Sequence, residues 1–226
     1  MAFVRQGMAA GSHRSPDGLF RSDSPTSDPD SPLFPDLAGF SMDLLDLPLE
    51  DIGPRTITPP LRPFADGMIR WYRRHFHSIF PFLSWPAFEG RYRTLWKEPE
   101  QPHPGFEELL FHATLNMVLA LACLRNDAMS LQDRYFAADE FYKRSVRLVS
   151  AESLDAASIP IVQMLLLRAY YLYFAGKADR CWLMSGAAIR VAIGMGLNAP
   201  PKKEVSQLER ELRRKVWQAG CVSLDQ

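Results

Sequence analysis

Cysteine is scarce in this chain. Three thiols, Cys123, Cys181 and Cys221, are spread through 226 residues, which rules out a disulfide framework and leaves free, largely buried thiols in a reducing compartment as the expectation. An excess of charge is lacking too. The 26 Lys and Arg are matched by 26 Asp and Glu, so the whole chain is not a polycation built to track nucleic-acid phosphates. The opening residues Met1-Ala2-Phe3-Val4-Arg5-Gln6 carry no apolar secretory core. Of the two longest apolar runs, Leu115 to Leu124 is short for a bilayer and Ile159 to Phe174 is broken by Gln163 and Arg168, so both read as buried helices and no membrane partner is expected. Strand signals are missing: there is no sustained alternation, and no Asn-Gly or Asp-Gly turn joins β-branched runs.

Catalytic and cofactor signatures are equally sparse. Neither a Gly-x-Ser-x-Gly elbow nor a Cys-x-x-Cys pair occurs. Gly194-Met195-Gly196 follows a helical pattern where a dinucleotide fingerprint needs a preceding strand, and Gly176-Lys177 lacks the spacing of a phosphate loop. Both read as helix punctuation. His75 and His77 stand two apart on a helical pattern, hence on opposite sides, and His13, His103 and His112 have no partner at ligand spacing, so no metal site and no cofactor are expected here. A ligand cavity lined by Tyr170, Tyr171, Tyr173 and Trp182 is the less favoured alternative to an aromatic core.

What is present is helical. Residues 1–63 are crowded with Pro, Ser and Asp and are expected to form a disordered tail, because such a composition buries too little apolar surface to offset ordering. Within it, Phe40 to Ile52 interleaves bulky apolar residues with acids. Phe40, Leu44, Leu45 and Leu47 make this a candidate activation segment, in which an induced helix offers Phe40, Leu44 and Leu47 to a coactivator groove. Docking of the same segment onto its own domain is the other reading.

From Phe64 to the end, 64–226, the period predicts an all-α fold of stacked antiparallel helical hairpins. Asp66 is expected to cap a helix with Met68, Tyr72, His75 or Phe76, and Ile79 on one stripe, ended by Pro81. An aromatic helix follows through Phe88, Tyr92 and Trp96, then helices from about Phe106 to Arg125 and Leu131 to Val149, the second carrying Phe136, Phe141, Val146 and Leu148. Ser158 and Pro160 open an apolar helix that stops at Gly176. Asp179 is expected to cap the next, in which small residues from Ser185 to Ala192 lie between the anchors Trp182, Ile189 and Ile193, and Gly196 ends it as a left-handed residue with Leu197 folding back. Ser206-x-x-Glu209 is a capping box for the last helix, where Glu209 with Arg213 and Glu211 with Lys215 form i,i+4 pairs. Its apolar side, Leu212, Val216, Trp217, Gly220, Cys221 and Leu224, is expected to be exposed and to favour self-association. Arg70, Arg73 and Arg74 share a face that reads as solvated.

Three pieces occur in a telling order. Phe80-Pro81 is followed by Phe88 and Tyr92; then come Gly186, Ala188, Arg190 and Ala192 with Gly196-Leu197; then Arg213, Arg214 and Trp217, ending at Asp225. This succession resembles the regulatory "middle homology" domain of fungal zinc-cluster transcription factors. Gln218 and Gln226 depart from the family's second tryptophan and final arginine. The resemblance implies a nuclear transcription regulator and no enzyme, with coactivators or other regulators as partners. It also implies that DNA and zinc are bound only by a six-cysteine cluster that these residues do not contain, and that the family domain runs on beyond residue 226, so a truncated domain is expected. The alternative is a tetratricopeptide-like scaffold, which needs a repeat of about 34 residues and its Trp-Leu-Gly-Tyr pattern.

Overall fold

The computed structural model describes residues 57–97, 104–149, 157–201 and 204–224. All of these residues belong to one compact unit. The Phe40 to Ile52 segment and Asp225 lie outside the described residues.

Seven helices and no strand occur among the described residues. The first, α1 (Arg62–Tyr72), starts about five residues earlier than a cap at Asp66 would place it, at the N-cap Leu61 with Pro in its first turn, where a missing N–H costs nothing. Asp66 is therefore not a cap. It sits inside the helix, paired with Arg62 at 3.8 Å and accepting the Tyr92 hydroxyl at 2.7 Å. The helix runs into a π-helical turn over Arg73–His77. That wider turn shifts the register by about one residue, so Phe76 turns inward at 6 % exposure while Ile79, expected on the same stripe, stands 67 % exposed.

The short α2 (Trp85–Thr94) buries Trp85, Phe88 and Tyr92. Next, α3 (Phe106–Arg125) is buried on all sides from Leu110 to Leu124. It is long and apolar enough to cross a bilayer, yet 83 % of its most apolar window is covered by neighbouring helices, and it is the central core helix. α4 (Leu131–Leu148) begins at Ser130, whose hydroxyl accepts the Asp133 N–H at 3.2 Å. Its inward face is Ala138, Phe141, Tyr142, Ser145 and Val146. Phe136 falls off that face and is 77 % exposed, against expectation.

α5 (Ile159–Phe174) is the second core helix, and α6 (Ala178–Gly194) follows after a three-residue link. Gly176 has φ 71°, and the Lys177 N–H reaches back to the Leu172 carbonyl at 2.9 Å. Lys177 then serves as N-cap, so Asp179 lies in the first turn and does not cap. The last helix, α7 (Gln207–Leu224), opens with the Glu209 N–H on the Ser206 hydroxyl at 3.2 Å, one half of the expected box.

α3 packs against α4 and α5, α6 against α5, α1 against α3, and α7 lies across α5 and α6. Short links between packed neighbours make α3–α4 and α5–α6 antiparallel hairpins. The two polar breaks in α5 are cross-links. Gln163 donates to the Phe82 carbonyl at 2.6 Å. The fully buried Arg168 donates to the Ser145 carbonyl and hydroxyl and to the Val149 carbonyl, all at the C-terminal end of α4. The negative end of the α4 dipole faces this guanidinium, and burial pushes its pKa down only to about 10, so the charge persists.

Candidate regulatory interface at the α6–α7 junction

The signature residues meet where α6 ends. Gly196 takes φ 65°, a conformation that an L side chain strains to adopt. The Gly196 N–H bonds the Ile193 carbonyl at 2.8 Å and the Leu197 N–H the Ala192 carbonyl at 2.9 Å, which tucks Leu197 to 5 % exposure. The next carbonyls have a side-chain partner. The Arg213 guanidinium, from α7, donates to Gly196 at 3.1 Å and Met195 at 3.4 Å, a cation on the negative end of α6. The expected Glu209 to Arg213 pair therefore does not form, and among the described residues the Glu211 to Lys215 pair does not form either.

Small residues set the spacing. Ser185, Ala188 and Ala192 are 0 to 2 % exposed along the inner line of α6, and the Ser185 hydroxyl reaches the Ser223 carbonyl at 3.2 Å. On α7, a Cβ at Gly220 would stand 3.3 Å from Ile189 Cγ1 and 3.9 Å from Leu166 Cδ2. A larger residue there would push α7 off both neighbours. Val216 is fully buried beside it, while Leu212 and Trp217 are half-buried. The apolar side of α7 is thus mostly covered by α5 and α6, contrary to the exposed face expected, and Cys221 points to solvent while Cys123 and Cys181 are buried.

Tyr170, expected in an aromatic core or, less favoured, in a ligand cavity, joins the first signature element to the last. Its ring stands 4.5 Å from Phe80, 5.5 Å from Phe76 and 5.9 Å from Phe82, and its hydroxyl donates to the Ala219 carbonyl at 3.4 Å. Burial pushes that phenol up to about 12. Phe80 is half-buried and Pro81 exposed at this corner, whereas Phe88 and Tyr92 pack with Trp85 and Phe111 further along. The four aromatics do not share one environment: Tyr170 and Tyr171 are buried, but Tyr173 is 42 % and Trp182 58 % exposed.

The remaining signature positions point outward. Gly186 has open space where a Cβ would be. Arg190 is exposed, and Arg214 donates to Gln218 of its own helix at 3.1 Å. Trp182 and Ile193, expected as anchors, lie on this outer face at 58 % and 49 % exposure, because the inner line of α6 is taken by Cys181, Ser185, Ala188 and Ala192.

Ionisable chemistry is muted. The His75 ring nitrogen Nδ1 contacts the Trp71 carbonyl at 3.0 Å and the ring stacks on Trp71; His77 turns the other way against Trp85. No group of three or more His, Cys, Asp or Glu gathers at ligand spacing among the described residues. Burial pushes the Cys123 thiol up to about 12 and raises that of Cys181, away from the reactive thiolate form. Arg70, Arg73 and Arg74 are exposed as expected, Arg73 lying over the Trp85 ring at 5.3 Å.

An end-capping arginine, a left-handed glycine and a line of small residues are thus assembled by the motifs that carried the family resemblance. The family model for the fungal specific transcription factor domain matches residues 69–225. The chain belongs to this family. Over 202 residues it is 32 % identical to sorbicillinoid biosynthetic cluster transcription factor 2 of Penicillium rubens, covering 87 % of this chain and 28 % of that protein. Over 212 residues it is 28 % identical to sorbicillinoid biosynthetic cluster transcription factor sor3 of Hypocrea jecorina, covering 89 % of this chain and 32 % of that protein. Protein STB5 of Saccharomyces cerevisiae is 29 % identical over 175 residues, 71 % of this chain and 22 % of its own length. The chain therefore spans a third or less of these curated relatives. No solved structure matches it. The fungal transcription factor domain and the relatives' names make transcription regulation, not a scaffold repeat, the function class of the family.

Proposed function

We propose that this chain supplies the regulatory region of a nuclear, fungal zinc-cluster type regulator of RNA polymerase II transcription. The family match over 69–225 carries the reading. Its support in the fold is that the signature residues form a helix–helix latch, with Arg213 closing the end of α6, and not a pocket with catalytic groups. The tail expected over 1–63 ends earlier in this reading, at about residue 56, and the helical body from about residue 57 is part of the regulatory domain. DNA and zinc are reached through a separate cysteine-cluster module, and partners on this chain are coactivators or other regulators.

The effector is the segment Phe40 to Ile52, whose acids keep Phe40, Leu44, Leu45 and Leu47 soluble until a coactivator groove buries them. Fused to an unrelated DNA-binding module, residues 36–56 should drive a reporter in a fungal host, and the double substitution Leu44→Ala with Leu45→Ala should remove most of that signal. Undiminished activity in the double variant would overturn the role given to this segment.

A further inference from the structure

Thr58 stands where the chain enters the helical body. It is exposed, and Pro59 follows it, with Pro60 and Pro63 close behind. A following proline holds a residue in extended backbone and presents no N–H at the next position, which is the local shape that proline-directed Ser/Thr kinases take into their clefts. Ser15, Ser24 and Ser31 also precede prolines. The Arg144 guanidinium of α4 donates to the Thr58 carbonyl at 2.6 Å. That guanidinium is spread over the Phe141 ring at 5.7 Å, and Phe141 stacks on Phe64 of α1 at 6.3 Å. The cation is thus held by packing, half-buried, and bonded to the backbone of Thr58 itself.

We propose that Thr58 is a phosphoacceptor and that its phosphate is read by Arg144, fastening the segment that leads into α1 onto α4. In the transfer, the Thr58 hydroxyl oxygen bonds the γ-phosphorus of ATP, the bond from that phosphorus to the bridging oxygen of ADP breaks, and the hydroxyl proton passes to the kinase base. The product carries nearly two negative charges and three acceptor oxygens. A guanidinium fork matches such a group with paired, charge-assisted hydrogen bonds, and partial burial strengthens the attraction over that in water.

The test uses the full chain, ATP and a purified proline-directed kinase, with sites mapped by tandem mass spectrometry and the phosphothreonine followed by phosphorus NMR. Phosphate should appear on Thr58, and its second ionisation, near pH 6 in a free phosphopeptide, should fall by about half a unit or more relative to a synthetic phosphopeptide of residues 55–62. The shift should vanish in Arg144→Gln and survive in part in Arg144→Lys, which keeps the charge but loses the fork. Should Arg144→Gln misfold by circular dichroism, the comparison of chain, Arg144→Lys and peptide decides. Labelling of Ser24 and Ser31 with Thr58 left unmodified, a midpoint equal to that of the peptide, or a shift that persists in Arg144→Gln would each overturn the proposal.

Discussion

Single side chains in this domain do their work by ending helices. Arg168 and Arg213 both lend a guanidinium to the carbonyls at a helix C-terminus, one to α4 and one to α6, and each satisfies acceptors that would otherwise cost about 1 to 3 kcal/mol when buried without a partner. Two histidines are held the opposite way, as neutral rings. The His77 pKa is lowered by burial first, then by Arg73 and Lys215. That of His112 is lowered by burial, with Glu108 at 3.2 Å opposing and Arg91 adding to the fall. A histidine whose folded pKa is depressed binds fewer protons folded than unfolded, so stability is intact above the ordinary value near 6.5 and declines as pH falls below it toward the folded pKa. The thermal midpoint should therefore drop between pH 7 and pH 5, and the combined variant His77→Gln with His112→Gln should flatten that slope. An equal slope in wild type and variant would show that neither ring is the cause.

Helix ends and contact lines were legible in the sequence to unequal degrees. Gly176, Gly196 with Leu197, and Ser206 act as their residue types dictate, because a left-handed C-terminal residue and a hydroxyl N-cap are local devices. Asp66 and Asp179 show where that logic stops: an acid one turn inside a helix looks like a cap until the true N-terminus is known, and Pro63 and Gly176 moved it. Ile79 was misplaced by the π turn, which periodicity at 3.6 residues cannot register. Trp182 was misjudged because size suggested burial, whereas the small residues of α6 form the contact line. The junction itself was visible only as a motif. That Arg213 would leave Glu209 for the end of α6 depends on the crossing of two helices and has no local signal. The same geometry separates the two glycines of the junction. Gly186→Ala, in open space within a helix, should raise unfolding free energy by about 0.5 to 1 kcal/mol, and Gly220→Val, forced against Ile189, should lower it by about 1 to 3. Denaturant midpoints at constant slope measure both; equal effects would mean that α7 does not approach α6 as closely as described.

At the scale of the whole molecule, the body is organised about α3 and α5, with α1 and α4 on one flank and α6 and α7 on the other. The edge nearest the tail is a strap. Ile57 is half-buried against the core, the Thr58 carbonyl receives Arg144, and the Leu61 carbonyl takes the Ala65 N–H at 3.0 Å. These contacts lie upstream of the compositional boundary at residue 63, so the body should extend to about residue 57. A chain starting at Thr56 should melt within about 2 °C of the full chain, since it keeps every one of these contacts. A chain starting at Arg62 loses an apolar side chain, a charge-assisted hydrogen bond and the first-turn acceptor, together about 1 to 3 kcal/mol. At roughly 2 to 4 °C per kcal/mol for a chain of this size, its midpoint should fall by several degrees. Differential scanning calorimetry of the three chains decides the matter: equal melting of the Thr56 and Arg62 starts would place the boundary at 63 and leave the strap without a structural role, whereas a fall on removing residues 1–55 alone would place part of the stabilising contacts further upstream.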